Sequence, residues 1–290
     1  MLRGHLIVLS VLSGIIIPAS SALAARPHQP NTGSGGIGIR LVDLPSASHD
    51  DPLGRSYIVA RLAPGTSIRR SVEISNSTRS TATVAVYPAA GGISRGRFGF
   101  APGHTPNELS SWTSLSRAAL RLPAGMKVFE TVTITVPRNA SSGEHYAVVW
   151  AQVSARAPAK GGVTLVNRVG VRMYLSIGPG GTPAPNFAIG RLTAKRSANG
   201  ELLVFATIHN SGGRTLDIGG TLTLSNGPGG LRAGPFAVKL GTALAPHSSE
   251  PGTVRLDKRL PLGPWRAEIR LTSGLVQRTA AATLTFPGQH

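Results

Sequence analysis

Residues 168–177 read Arg-Val-Gly-Val-Arg-Met-Tyr-Leu-Ser-Ile. Val169, Val171, Met173, Leu175 and Ile177 take every second position, with polar or small residues mostly between them. A period of two puts alternate side chains on opposite faces, so this stretch reads as a strand with one buried face. The same period recurs outward from it. Residues 131–136 set Val132, Ile134 and Val136 against three threonines, and residues 67–75 set Ile68, Val72 and Ile74 against Arg69, Ser71, Glu73 and Ser75. In the second half, Trp265, Ala267, Ile269 and Leu271 alternate with Arg266, Glu268 and Arg270. Tyr146 to Val153 is apolar on both faces and fits a central strand. No long segment holds a helical period. The best candidate, Asn107 to Leu120, carries five Ser or Thr residues and predicts no more than a short helical turn.

The expected class is therefore all-β. Residues 1–24 have the layout of a signal peptide: Arg3 and His5, an apolar run from Leu6 to Ile17, Pro18, then Ala22-Leu-Ala24. That apolar run is shorter than the roughly 20 residues a membrane span needs. The sequence after it lacks any longer apolar run, so the expectation is an exported chain with no transmembrane segment. Residues 25–36 are a Pro/Gly-rich leader, and the stretch 179–186 is a second Pro/Gly linker. They mark out two β-sandwiches, 37–178 and 187–288. The halves echo each other. Val72-Glu-Ile-Ser-Asn76 and Ala206-Thr-Ile-His-Asn210 each end on an Asn, expected in a left-handed turn, and each half later runs into an aromatic strand.

Composition narrows the function classes. The 290 residues include 36 Gly, 22 Pro and no Cys, which excludes disulfides, thiol nucleophiles and Cys-based metal sites. Thirty Lys and Arg against 12 Asp and Glu give a net charge of +18, spread over both halves without a long basic run. A diffuse positive field on an exported chain points to anionic wall polymers more than to nucleic acid.

Several motifs match by letter and fail by context. Gly33-Ser-Gly-Gly-Ile-Gly38 has dinucleotide-site spacing, but a strand pattern follows it where a helix is needed. Gly92-Ile-Ser94-Arg-Gly96 has nucleophile-elbow spacing, yet its flanks predict a β-turn, and nothing in the sequence brings His104 or His145 to Ser94. His49-Asp-Asp51, before Pro52, reads as a solvated turn rather than a metal site. His209 and His247 read as isolated turn residues. No catalytic residue, cofactor or metal is expected. Trp150 and Trp265 lie in strands and are expected in cores, whereas Trp112, among serines and threonines, could stack on a sugar.

The first half resembles the peptidoglycan-binding domain of WxL-interacting proteins, a Gram-positive surface family. The resemblance runs through Tyr57-Ile-Val-Ala-Arg-Leu-Ala-Pro-Gly65, Val72 to Asn76, the Gly91-Gly-Ile-Ser turn, Leu122-Pro-Ala-Gly125, Val132 to Gly143 and Asn167 to Ile177. It implies two tandem immunoglobulin-like β-sandwich domains, contact with peptidoglycan, and a protein partner for the second. The family's C-terminal transmembrane helix and basic tail have no counterpart here. On this reading the chain is a secreted, non-enzymatic, cell-wall-associated binding protein for peptidoglycan or an anionic wall polymer, and for a surface protein. Arg69 on a polar strand face, Arg95 and Arg97 at the glycine turn, and Trp112 are its candidate wall contacts. The strand pattern also resembles periplasmic pilus chaperones, whose late first-domain strand templates a subunit by strand addition. Residues 169–177 are the counterpart, and the alternative function is export or assembly of another polypeptide.

Overall fold

The computed structural model describes residues 35–45, 51–154, 165–181, 183–197, 199–241 and 243–286. The expected signal peptide, most of the leader, and His49 and Asp50 lie outside them. Strand pairing falls into two sets, as an all-β, immunoglobulin-like reading requires. The first set makes two facing sheets. One runs in the order β1 (Ile37–Leu41), β3 (Ser67–Asn76), β8 (Lys127–Thr135), β6 (Thr113–Leu115). The other runs β2 (Ile58–Leu62), β10 (Val166–Ile177), β9 (Gly143–Ser154), β4 (Ala82–Ser94), β5 (Arg97–Phe100), with β7 (Ala119–Leu122) also on β4. β9 is central, with β10 on one edge and β4 on the other, and both its faces are apolar because Ala147, Val149 and Ala151 enter the core between the sheets while Val148 and Trp150 enter a second buried cluster on the other face. Val72, Ile74, Val132 and Ile134 from the first sheet meet Val84, Val149, Val171 and Met173 from the second in one core.

The second set repeats the plan. One sheet centres on β13 (Leu202–Asn210), flanked by β11 (Phe187–Ile189) and β12 (Thr193–Arg196) and by β16 (Ser249–Leu256). The other runs β15 (Ala233–Ala237), β14 (Gly219–Ser225), β17 (Pro264–Ser273), β18 (Val276–Thr285). Trp265 is buried in this core and donates its indole N–H to the Pro261 carbonyl at 3.0 Å. The expected short helix is α2 (Glu108–Ser111), capped by Asn107, whose side chain accepts from the Ser110 N–H.

The internal echo is a repeated hydrogen-bond knot. Asn76 and Asn210 are both fully buried. Asn76 donates through Nδ2 to the carbonyls of Ser80 and Leu122 and accepts from the Thr78 N–H. Asn210 donates to Arg214 and Leu244 and accepts from the Gly212 N–H. Neither Asn has positive φ, so the expected left-handed turn is corrected: each ends a strand, and its side chain satisfies the loop carbonyls that burial would otherwise leave unpaired. The left-handed residue sits across the knot. It is Gly125 (φ 72°) in the first sandwich and His247 (φ 57°) in the second, each donating its N–H to the paired Asn carbonyl. His209 is a strand residue, not a turn residue, and its Nδ1 lies 2.9 Å from Ser249 Oγ.

From Gly35 onward the two sandwiches pack as one unit. Contacts at the seam include three hydrogen-bonded or charged pairs. Asp51 caps the helical turn α1 (Pro52–Ser56) and also pairs with Arg214 at 3.1 Å, so it is largely buried rather than in a solvated turn. Tyr146 and Thr215 share a hydrogen bond of 3.1 Å across the seam. The tight turn Arg95-Gly96, with φ of 49° and 65°, presents the Gly96 carbonyl to the Ala243 N–H at 3.1 Å. Both ends of the 179–186 stretch are held: Arg61 donates twice to the Pro179 carbonyl, and the Gly212 N–H donates to the Asn186 carbonyl.

Candidate protein-binding site

Strand β10 is twelve residues long and pairs with β9 along its whole length, from Val166↔Ser154 to Ile177↔Gly143. Among the described residues, its other edge pairs only from Met173 to Ile177, with the parallel strand β2. The reason is local. Asp51 and Pro52 start the helical turn α1, Asp51 accepting the Leu53 N–H at 3.1 Å, and Leu53 is buried under the sheet. The chain therefore reaches β10 only at Ile58. Above that point, residues 166–172 have no ladder partner on this edge among the described residues. The run contains no Pro and no bulge, and it begins beside exposed Leu165 (74%) and Val166 (52%). An uncovered edge of this kind is a template for another strand.

The two faces of the free run differ. Val169 and Val171 point into the sandwich core. Arg168, Gly170 and Arg172 point to the outer face, beside Trp150 and Val148 of β9. The outer face is a second apolar layer, built from Leu53, Tyr87, Phe98, Val148, Trp150 and Tyr174. Trp150 is buried, as expected for it, and the cluster it packs into is this outer layer. Its ring lies across Gly170, where a Cβ would stand 2.7 Å from Trp150 Cε3, so only glycine leaves it room. The Arg168 guanidinium lies over Trp150, 4.4 Å from the ring centroid. Arg172 lies 5.0 Å from Tyr57 and from Phe98, and 5.8 Å from Phe100. Among the described residues neither cation has a carboxylate within ion-pair distance. Asp217 is close enough to Arg172 for its carboxyl to feel the charge, but burial still pushes that carboxyl above its ordinary range. Burial likewise pushes the Tyr174 hydroxyl up to about 12, so it stays neutral and its oxygen accepts from the Arg172 guanidinium.

No family model matches the chain, and no curated protein matches it. Solved structures do match, at low identity. The chaperone YadV is 12% identical, with 86% of this chain and 99% of that one covered and a TM-score of 0.45. The E. coli chaperone DraB is 14% identical, with 85% and 98% covered and a TM-score of 0.42. A chain of the CsuC–CsuE chaperone–tip adhesin pre-assembly complex of Acinetobacter baumannii is 13% identical, with 88% and 100% covered and a TM-score of 0.41. Likeness at this level carries no functional weight by itself.

The residues expected to touch wall polymer lie on different elements. Arg69 is exposed on the outer face of the β3 sheet. Arg95 and Arg97 flank the β4–β5 turn that docks on the second sandwich, where Arg97 acts on Glu250. Trp112 is half-buried against the first core, its ring tilted on His145 at 4.9 Å. Ser94 opens the same turn, opposite Arg97, as the β-turn reading expects. His104 stacks on Tyr87 at 3.6 Å, and His145 meets Glu108 at 3.2 Å. Among the described residues no group of three His, Asp or Glu could hold a metal ion, and no helix is long and apolar enough to cross a membrane. Sequence reasoning picked out β10 by its alternation but passed over Arg168 and Arg172. Their signal was Arg-x-Gly-x-Arg on one strand face opposite a Trp, which needs the β9 register to be seen.

Proposed function

We propose that this chain is an extracytoplasmic, chaperone-like assembly factor that holds another exported polypeptide by adding one of its strands to the free edge of β10. The observation that carries this reading is the uncovered edge at residues 166–172, on a strand whose lower half is already capped by β2. Backbone N–H and C=O groups on that edge supply affinity without sequence demand, and the side chains on either face supply selectivity. The signal-peptide pattern of the first 24 residues supports export. The layout separates the tasks: the first sandwich offers the edge, and the seam through Asp51–Arg214 and Tyr146–Thr215 fixes the second sandwich beside it. Direct attachment to peptidoglycan would instead draw on Arg69, Arg95, Arg97 and Trp112, which lie on other elements than the free edge.

The test is in-cell photocrosslinking from a benzophenone amino acid at Asn167, with Thr133 on the far sheet as control. Expected is an adduct with an exported polypeptide from position 167 alone. Equal labelling from both positions, or none from 167, would contradict the proposal.

A further inference from the structure

We infer that the strand received by β10 is acidic on one face, carrying side-chain carboxylates at two positions four residues apart that lie beside Arg168 and Arg172, with a small residue between them. This rests on the strand-addition reading. Strands in a sheet lie about 4.8 Å apart, and directly opposed residues share a face. A strand laid against residues 166–172 thus places one face beside Val169 and Val171, at the core edge, and the other beside Arg168, Gly170 and Arg172. Arg168 and Arg172 are four residues apart, roughly 13 Å along a strand.

Three features make these cations receptive. Each lies over aromatic rings, Arg168 over Trp150 and Arg172 over Tyr57 and Phe98, which fixes the guanidinium plane before any partner arrives. Neither has a carboxylate at ion-pair distance among the described residues; the groups facing Arg172 are the Tyr174 hydroxyl at 3.5 Å and, across the seam, Asp217. Some cations on this fold are already engaged, as Arg40 is with Glu73, Arg117 with Glu130 and Arg214 with Asp51, whereas Arg168 and Arg172 combine aromatic support with the absence of such a partner among the described residues. Between the two cations, Gly170 leaves room for the Trp150 ring, so a bulky residue opposite it would collide with the indole. The complementary segment has apolar residues on one face and acid, small, acid on the other.

Three ten-residue peptides with the same alternating apolar face test this, carrying Glu, Gln or Lys at the two key positions. Binding to the full chain is read by fluorescence anisotropy. Two cross-strand charge pairs, each worth a few-fold, multiply to about tenfold. Expected is Glu over Gln by about tenfold, Lys weakest, and the gap closing in R168Q/R172Q and in high salt. The glutamine variants keep much of the packing over the rings, and unchanged near-UV circular dichroism verifies the fold. Equal binding of Glu and Gln peptides overturns the acidic face and leaves strand addition standing. No binding of any peptide overturns both. Displacement of the Glu peptide by a sulfated polysaccharide as readily as by itself would reassign the two guanidiniums to a glycan and also overturn the inference.

Discussion

A residue in left-handed backbone carries a cost that its neighbours must offset. His247 occupies the position that Gly125 holds in the first sandwich, donating its N–H to Asn210 as Gly125 does to Asn76. A side chain at such φ costs about 1–2 kcal/mol against glycine. H247G is therefore expected to raise stability by about 1 kcal/mol, less whatever entropy the unfolded chain regains. Urea denaturation measures it; a loss of stability would mean that the imidazole has a role in the seam pocket it lines with Arg61 and Tyr146. The paired Asn residues were legible in the sequence as marks of a repeat, but their mechanism was not. An Asn at the end of a strand looks like a turn residue, and only tertiary structure brings the Leu122 and Leu244 carbonyls to its amide.

The seam is where elements of the two sandwiches meet, and it gathers carboxylates that dislike it. Burial is the largest cause in each of three, pushing Glu144, Asp217 and Glu250 above the ordinary range. Glu144 faces the hydroxyls of Ser176 and Thr215, with Arg61 and His145 nearby; Asp217 faces Arg172 and Asp51; Glu250 faces Arg97. A raised carboxyl holds its proton longer folded than unfolded. Its penalty is absent below the ordinary carboxylate value near pH 4 and grows as pH rises through the raised one. The triple variant E144Q/D217N/E250Q lacks this slope. Scanning calorimetry from about pH 4 to pH 7 should show wild type losing ground to the variant as pH rises; parallel curves would mean that the seam does not desolvate these groups. Strand periods were readable because alternation is a local property. The seam was not, because it joins residues such as Asp51 and Arg214 that lie far apart in sequence.

At the scale of the molecule, the all-β class and the repeated sandwich follow from alternation and Gly/Pro punctuation alone. What no alternation count reveals is which edges are covered. β18 also ends a sheet, but Arg278 reaches from it to Asn186 at the edge of the facing sheet, a charged group that discourages strand addition there. Among the described residues the upper half of β10 has no comparable block, because α1 delays the start of β2 to Ile58. The net charge of +18 gives the free edge a field that favours acidic partners over distance. The most direct measurement is residue-resolved amide hydrogen exchange across residues 166–172, in the free chain and bound to the polypeptide trapped at Asn167. The account predicts fast exchange at alternate amides in the free chain, those not bonded to β9, and slow exchange at the same amides in the complex. Fast exchange persisting there in the complex, with protection appearing elsewhere, would contradict it.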